Sequence, residues 1–185
     1  MFQSKFFSSK NLLDWNIEYN LGLQNRLLKK DELLLEAGQR CDYFYFVLKG
    51  FLRVYYLDID GNEITHWFSP KDTTITSPFS YFNKEENILF IQALEETDVL
   101  LISSDQLNTV IENVPSANKE ARKLLAEFAM TFSRRVMEIH TKTAESRYLK
   151  LMAEHSTIFQ KAKLSHIASF LGITQQSLSR IRKNI

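Results

Sequence analysis

The sequence predicts an α+β fold in which an antiparallel β-roll precedes a long helix and a helix-turn-helix. Short β-rich segments with tight turns run from residue 33 to 103, a pattern typical of a roll or sandwich rather than a parallel sheet. Residues 116–143 contain no Gly or Pro, and residues 163–185 hold two short amphipathic segments joined at a glycine. We therefore divide the chain into a β-roll (1–115), a long helix (116–143) and a helix-turn-helix domain (144–185).

The roll is predicted from its β-rich segments and the turns between them. Residues 43–50 and 51–57 meet at Gly50, and an Asp60-Gly61 turn leads into a strand at 63–68, which predicts a hairpin. Segments 87–94 and 97–103 flank an acidic turn, and residues 1–25 form a helical lead-in. The strand aromatics are predicted to be core, with a stacking platform for a flat ligand as the alternative: Phe44, Phe46, Phe51, Tyr55 and Tyr56.

The long helix carries an apolar seam whose members are spaced by four, three, four and three residues. These residues are Leu125, Ala129, Phe132, Val136 and Ile139. Such a/d spacing favours a helix pair between two copies of the chain. Leu124 and Phe128 form a second stripe that would face the roll. We predict a homodimer, and a helix buried within one monomer is the alternative.

The helix-turn-helix prediction rests on residues of the right type at helical spacing. Leu164, Ile167, Ala168 and Leu171 form one apolar face, and Leu178 and Ile181 close the core from the second helix. Gly172 permits the positive φ that the turn requires. Thr174 is predicted to be the N-cap of the second helix.

The polar face of the second helix predicts contact with double-stranded DNA, because side chains of such a helix reach base edges in the major groove. Gln175, Gln176 and Arg180 are the predicted base-reading residues. Candidates for phosphate or supporting contacts are Thr174, Ser177, Ser179, Arg182, Lys183, Lys163 and His166. A helical hairpin with a solvated polar face is the alternative.

Charge is distributed unevenly along the chain. The overall net charge is +1, but residues 1–115 carry a net −7, residues 116–160 a net +3 and residues 161–185 a net +5 with no acidic residue. A basic C-terminal segment after an acidic front indicates that the last part of the chain meets phosphate.

These features resemble the CRP/FNR (catabolite activator/fumarate-nitrate regulator) family of transcription regulators. The resemblance lies in residues 45–55 (YFVLKGFLRVY), 60–63 (DGNE), 93–99 (ALEETDV) and 167–181 (IASFLGITQQSLSRI). It implies that the roll is a cyclic-nucleotide-binding-like double-stranded β-helix that senses a small effector. It also implies that a dimer reads a palindromic promoter site and that RNA polymerase is a further partner.

The effector pocket departs from the pattern of the family's cyclic-nucleotide binders. Alignment on Ala93 places Thr76 and Ser77 where these relatives carry Gly-Glu, and Asn87 and Ile88 where they carry the Arg-Ser pair that holds the phosphate. The charge-assisted contact to phosphate is thereby lost. We expect no cAMP binding, and the effector is unknown.

Other functional classes are weighed from the remaining residues. Lys5 and Lys10 interrupt the N-terminal apolar residues, so we expect neither a signal peptide nor a membrane segment, and a cytoplasmic location. Cys41 is the single cysteine, which excludes an internal disulfide. The four histidines lack metal-site spacing, so we expect no metal. The sequence contains neither a Gly-rich phosphate loop nor a Gly-x-Ser-x-Gly elbow, and we expect no cofactor and no enzyme activity.

The chain ends at Ile185, so we expect that the β-wing of many relatives is absent. Phosphate contacts would then come from Lys161, Lys163 or Lys183. Two alternatives for the function stay open. One is a ligand-sensing or scaffolding protein with a vestigial DNA module, and the other is a cupin-like enzyme built on the roll.

Overall fold

The computed structural model describes residues 8–184. Eight strands form the roll: β1 (Gln24–Leu28), β2 (Leu33–Leu35), β3 (Tyr43–Lys49), β4 (Phe51–Leu57), β5 (Glu63–Pro70), β6 (Thr74–Ile75), β7 (Phe90–Ala93) and β8 (Thr97–Ser103). The helices are α1 (Ser9–Glu18), α2 (Pro78–Asn83), α3 (Ser104–Asn113), α4 (Ala117–Thr141), α5 (Ala144–Glu154), α6 (Thr157–Lys161), α7 (Leu164–Phe170) and α8 (Gln175–Lys183).

The strands form two four-stranded antiparallel sheets, with orders β1-β8-β3-β6 and β2-β7-β4-β5. The predicted hairpin is confirmed as β4–β5, whose turn is held by Asp58 Oδ1, which accepts from the amides of Asp60 and Asn62 at 2.9 Å each. Gly50 lets the chain pass from one sheet to the other, since its φ is 94° and an added Cβ would lie 2.4 Å from Thr97 Oγ1. The α+β roll predicted from sequence is confirmed.

Several local predictions are corrected by the structure. The helical lead-in ends at Glu18, well before residue 25, and Ile17 is 82% exposed because α1 packs through Leu12 and Trp15. Residues 1–7 of the predicted lead-in lie outside the described residues. The strand expected at 87–94 is only β7. The first part of the 144–185 domain forms two helices, α5 and α6, which separate at His155. The short helix α2 was not predicted.

The long helix α4 has one face on the roll and one face exposed. Leu124 and Phe128 pack inward as predicted for the second stripe. Phe132 was predicted for the seam, but it turns toward the roll because its ring stacks on His66 at 5.4 Å and approaches Trp67 at 5.2 Å. The other residues of the predicted seam, Leu125, Ala129, Val136 and Ile139, are exposed, as are Met130 and Met137.

Candidate nucleic-acid interface

The turn between α7 and α8 has the predicted geometry. Gly172 has a φ of 69°, and the amide of Ile173 donates to the carbonyl of Ala168 at 3.0 Å, which closes the C-terminus of α7. Thr174 is the N-cap of α8, since its Oγ1 accepts from the amide of Ser177 at 3.2 Å. Both local predictions are confirmed.

The orientation of α8 is fixed by a small apolar core. Leu178 is fully buried against Ile167, Ala168 and Leu171 of the preceding helix and turn. The same cluster continues into α5 and α6 through Tyr148, Leu151 and Ile158. Because α8 packs into this core through the buried Leu178 and the half-buried Ile181, its polar side faces outward.

The outward side of α8 is polar and cationic. Gln176, Ser179, Arg180 and Lys183 follow one another at spacings of three, one and three residues, which places them on one side of a helix. Arg180 and Lys183 are exposed, as is Gln176, and Ser179 is half-buried. A helix with this surface can offer amide and guanidinium groups to base edges and an ammonium group to phosphate.

The other predicted contact residues are distributed less uniformly. Gln175, Arg182 and Lys163 are exposed, as is Thr174 beside its cap bond. The remaining residue of the first turn, Ser177, is half-buried, and its Oγ lies 3.0 Å from Thr174 Oγ1.

Two predicted phosphate contacts are engaged elsewhere. Lys161 Nζ forms an ion pair with Glu95 of the roll at 2.5 Å. His166 is only 7% exposed, and its Nε2 lies 3.0 Å from Nη1 of Arg53. In this conformation His166 has no free face to offer to phosphate, because α7 buries it against the roll.

A polar cluster around the buried Arg53, which we term the α7 clasp, joins α7 to strands β4 and β5. It consists of Arg53, Glu63, Thr65, His166 and Ser169. Arg53 is 1% exposed and donates from Nε to Thr65 Oγ1 at 2.9 Å and from Nη1 to Glu63 Oε2 at 2.6 Å. Ser169 Oγ accepts from the amide of Thr65 at 3.1 Å.

The charge state of the α7 clasp follows from its burial. Burial lowers the pKa of Arg53, and the carboxylate of Glu63 opposes that shift. Burial lowers the pKa of His166 to about 4, and the neighbouring Arg53 cation lowers it further in the same direction. His166 is therefore neutral at pH 7 and accepts from Arg53 through Nε2, which leaves the ring proton on Nδ1. Among the described residues, Nδ1 of His166 and Nη2 of Arg53 have no hydrogen-bond partner.

Two further arginines connect the helix-turn-helix with its surroundings. Arg135 of α4 donates to the carbonyl oxygens of His66 and Phe170, and its guanidinium lies 3.9 Å from the Phe170 ring centroid. Arg147 of α5 donates to the carbonyl of Leu171 from Nη2 at 2.9 Å. Sequence reasoning missed these roles, as it missed Arg53, because an arginine's partner far along the chain leaves no local pattern.

The chain is similar to known proteins in sequence. Residues 25–114 match the family model described as a cyclic nucleotide-binding domain. The chain is 24% identical to the transcriptional activator protein Anr of Pseudomonas protegens, over 94% of this chain and 75% of that protein.

Solved structures share the fold. FixK2 from Bradyrhizobium japonicum superposes with a TM-score of 0.70 at 22% identity, covering 88% of this chain and 83% of that chain. A CRP/FNR family transcriptional regulator from Thermus thermophilus superposes with a TM-score of 0.70 at 17% identity, covering 87% and 84%. The chain thus resembles regulators of the CRP/FNR family in sequence and in fold.

In this protein, the residues at the expected effector positions stabilise the roll itself. Asn87 is buried and its amide donates to the carbonyls of Glu36 and Leu89, while its Oδ1 accepts from the amide of Leu89 at 2.9 Å. Thr76 and Ser77 are buried as well, whereas Ile88 is 65% exposed. The side chain at the position of the phosphate-binding arginine is thus fully used by backbone groups.

Two properties of residues 8–184 concern other functional classes. None of the helices there is both long and apolar enough to cross a membrane. The same residues contain no group of three or more His, Cys, Asp or Glu side chains placed to hold a metal ion.

Proposed function

We propose that this chain is a homodimeric regulator of transcription that binds double-stranded promoter DNA sequence-specifically through α8. The observation that carries the proposal is the exposed polar and cationic side of α8, held outward by the buried Leu178 core. The activator named among its relatives supports RNA polymerase as a further partner. The proposed location is the cytoplasm, where a regulator of this family meets promoter DNA.

Base reading is assigned to Gln175, Gln176 and Arg180, and phosphate contact to Lys163, Arg182 and Lys183. Arginine pairs bidentately with guanine and glutamine with adenine, whereas lysine binds phosphate as a point charge. The net charge of +5 over residues 161–185 supports a phosphate-facing surface.

Dimerisation is assigned to the exposed side of α4. Leu125 is 52% exposed and Val136 and Met137 are 57% exposed each, which leaves a continuous apolar stripe uncovered on one chain. An apolar stripe of this kind along a long helix is best buried by packing against a second helix. Two copies of α8 would then read the two halves of a two-fold symmetric site.

Cyclic-nucleotide binding is not part of the proposed function. Asn87 supplies no positive charge, and the nearby Glu85 and Glu86 carboxylates would repel a phosphate.

The proposed function divides the chain into three parts. These are a sensing roll at 1–115, a dimerisation helix at 116–143 and a DNA-binding domain at 144–185.

The test is quantitative binding to duplexes selected from genomic DNA. Arg180→Ala should cost about 1–3 kcal/mol and relax specificity at one base position, while Lys183→Ala should weaken all sequences alike and reduce the salt slope by about 1. Arg122→Ala, an exposed arginine of α4, is the matched control and should change neither. Uniform weakening by Arg180→Ala would contradict its base-reading role. Absence of salt-dependent binding to any duplex would favour the scaffolding alternative.

A further inference from the structure

A cavity of about 220 Å³ lies between the roll and α4. Strands β3, β4 and β5 form its floor, the segment from β6 to α2 forms one side, and α4 covers it. The cavity is larger than an apolar cavity of about 150 Å³ that stays dry and binds benzene in another protein. It is therefore large enough for a small organic molecule.

The walls of this cavity are almost entirely apolar. Five aromatic side chains line it: Phe44, Trp67, Phe82, Phe128 and Phe132. Among the described residues, no Lys, Arg, Asp or Glu side chain contributes to the wall. A charged ligand would lose its hydration on entry without gaining a partner of opposite charge, which is strongly unfavourable. An aromatic ring would gain offset or edge contacts with these side chains.

Two side chains, His66 and Thr76, provide polar groups at the wall. The hydroxyl of Thr76 already donates to the carbonyl of Tyr43 at 2.9 Å. Burial lowers the pKa of His66 to about 4, with a smaller contribution of the same sign from Arg135. The imidazole is therefore neutral at pH 7 and can offer one donor and one acceptor.

We propose that this cavity is the effector site and that its ligand is a small, uncharged, largely aromatic molecule with at most one or two polar groups directed at His66. The proposal rests on the proposed function, since it names the ligand class that the roll of a DNA-binding regulator senses. The proposed site does not include Asn87, because the side-chain amide of Asn87 is hydrogen-bonded to the backbone.

The position of the cavity explains how a ligand would act. The cavity wall combines the roll with Leu125, Phe128 and Phe132 of α4, and Leu125 also belongs to the exposed stripe assigned to dimerisation. A ligand that packs better against one rotation of α4 than another shifts the population toward that rotation. The rotation of α4 in turn sets the spacing of the two copies of α8.

The binding test uses the full chain in the Trp15→Phe background, in which Trp67 is the single tryptophan and reports from the cavity wall. Benzyl alcohol and benzoate are a matched pair that differs mainly in charge. We expect saturable one-to-one binding of benzyl alcohol that changes Trp67 emission, with an affinity at least about tenfold higher than that of benzoate. Equal or tighter binding of benzoate, or displacement of benzyl alcohol by cAMP, would overturn the proposal.

Variants locate the binding to this cavity, with calorimetry as the readout. Phe128→Trp fills the cavity and should abolish binding of benzyl alcohol, whereas Glu112→Trp at an exposed position of α3 should leave it unchanged. His66→Phe keeps an aromatic wall without the polar group. It should lower benzyl alcohol binding to the level of toluene and leave toluene binding unaffected. Retained binding in Phe128→Trp would place the ligand elsewhere and refute the site.

A separate measurement links the cavity to DNA. Saturating benzyl alcohol should change the duplex affinity of the wild-type chain by at least about fivefold and leave that of Phe128→Trp unchanged. An unchanged wild-type affinity would refute the effector role. Duplex binding without any ligand tests the proposed function independently, so failure of that function and failure of the effector site give different results.

Discussion

The contact between Arg53 and His166 predicts that replacing either side chain destabilises the protein and that the two effects are not additive. Arg53→Met leaves Glu63, whose side chain is 49% exposed and can be rehydrated, and Thr65, whose Oγ1 retains Ser169 Oγ at 3.0 Å. The principal loss is then the acceptor His166 Nε2, left buried without a donor. An unsatisfied buried group of this kind costs about 1–3 kcal/mol.

The converse substitution, His166→Phe, leaves one N–H of the buried Arg53 guanidinium without an acceptor and should cost a similar amount, about 1–3 kcal/mol. The double variant removes both partners and incurs only one such loss. The coupling between the two positions should therefore be about 1–3 kcal/mol, which is well above the additivity limit of about 0.5 kcal/mol for independent sites.

The assay is urea unfolding followed by tryptophan fluorescence, with free energies of unfolding obtained by linear extrapolation. Lys49→Met is the control, because it removes an ion pair to Glu96 in which both side chains are mostly exposed, and it should cost less than about 1 kcal/mol. If the double variant loses the sum of the two single losses, Arg53 and His166 do not hold α7 to the roll as described.

Three further predictions concern pH, the sheet crossing and assembly. His66 and His166 are protonated near pH 6.5 in the unfolded state but only near pH 4 in the folded state. The free energy of unfolding should therefore fall by about 1.4 kcal/mol per pH unit per histidine as the pH drops from 6.5 to 4. Measured as a function of pH, the free energy of unfolding should show a shallower slope in His166→Phe than in the wild-type chain. Gly50→Ala should cost at least about 2 kcal/mol more than Gly38→Ala in thermal unfolding, because both glycines have positive φ but only the Cβ at 50 would clash with the backbone of residues 96 and 97. Val136→Glu should convert a dimer to a folded monomer in sedimentation equilibrium. A wild-type chain that is monomeric at micromolar concentration would contradict dimerisation through α4.

Local features of this chain were predictable because short-range sequence specifies them. The β4–β5 turn needs only an aspartate side chain and Gly61, and the α7–α8 turn needs only Gly172 and the Thr174 cap. The long helix α4 follows from helical periodicity and the lack of Gly and Pro. Each of these features is decided by residues within a few positions of one another.

Features that depend on distant residues were not predictable in the same way. Phe132 fits the seam spacing, yet Trp67 and His66 draw its ring to the roll. The strand predicted from residue 87 begins only at Phe90, because the Asn87 side chain hydrogen-bonds the backbone of Leu89 and of the distant Glu36. A period in the sequence identifies a helix face but not the surface that will cover it.

By itself, the sequence of this protein determined the α+β roll, the long helix and the polar, cationic side of α8, because periodicity, turn residues and charge are local properties. Only the tertiary structure decided that His166 faces Arg53, 113 positions away in the chain, and that aromatic residues from the roll and α4 line an uncharged cavity. The burial of a side chain and its hydrogen-bond partners determine its possible role, and both are set by the packing of elements that are remote in sequence.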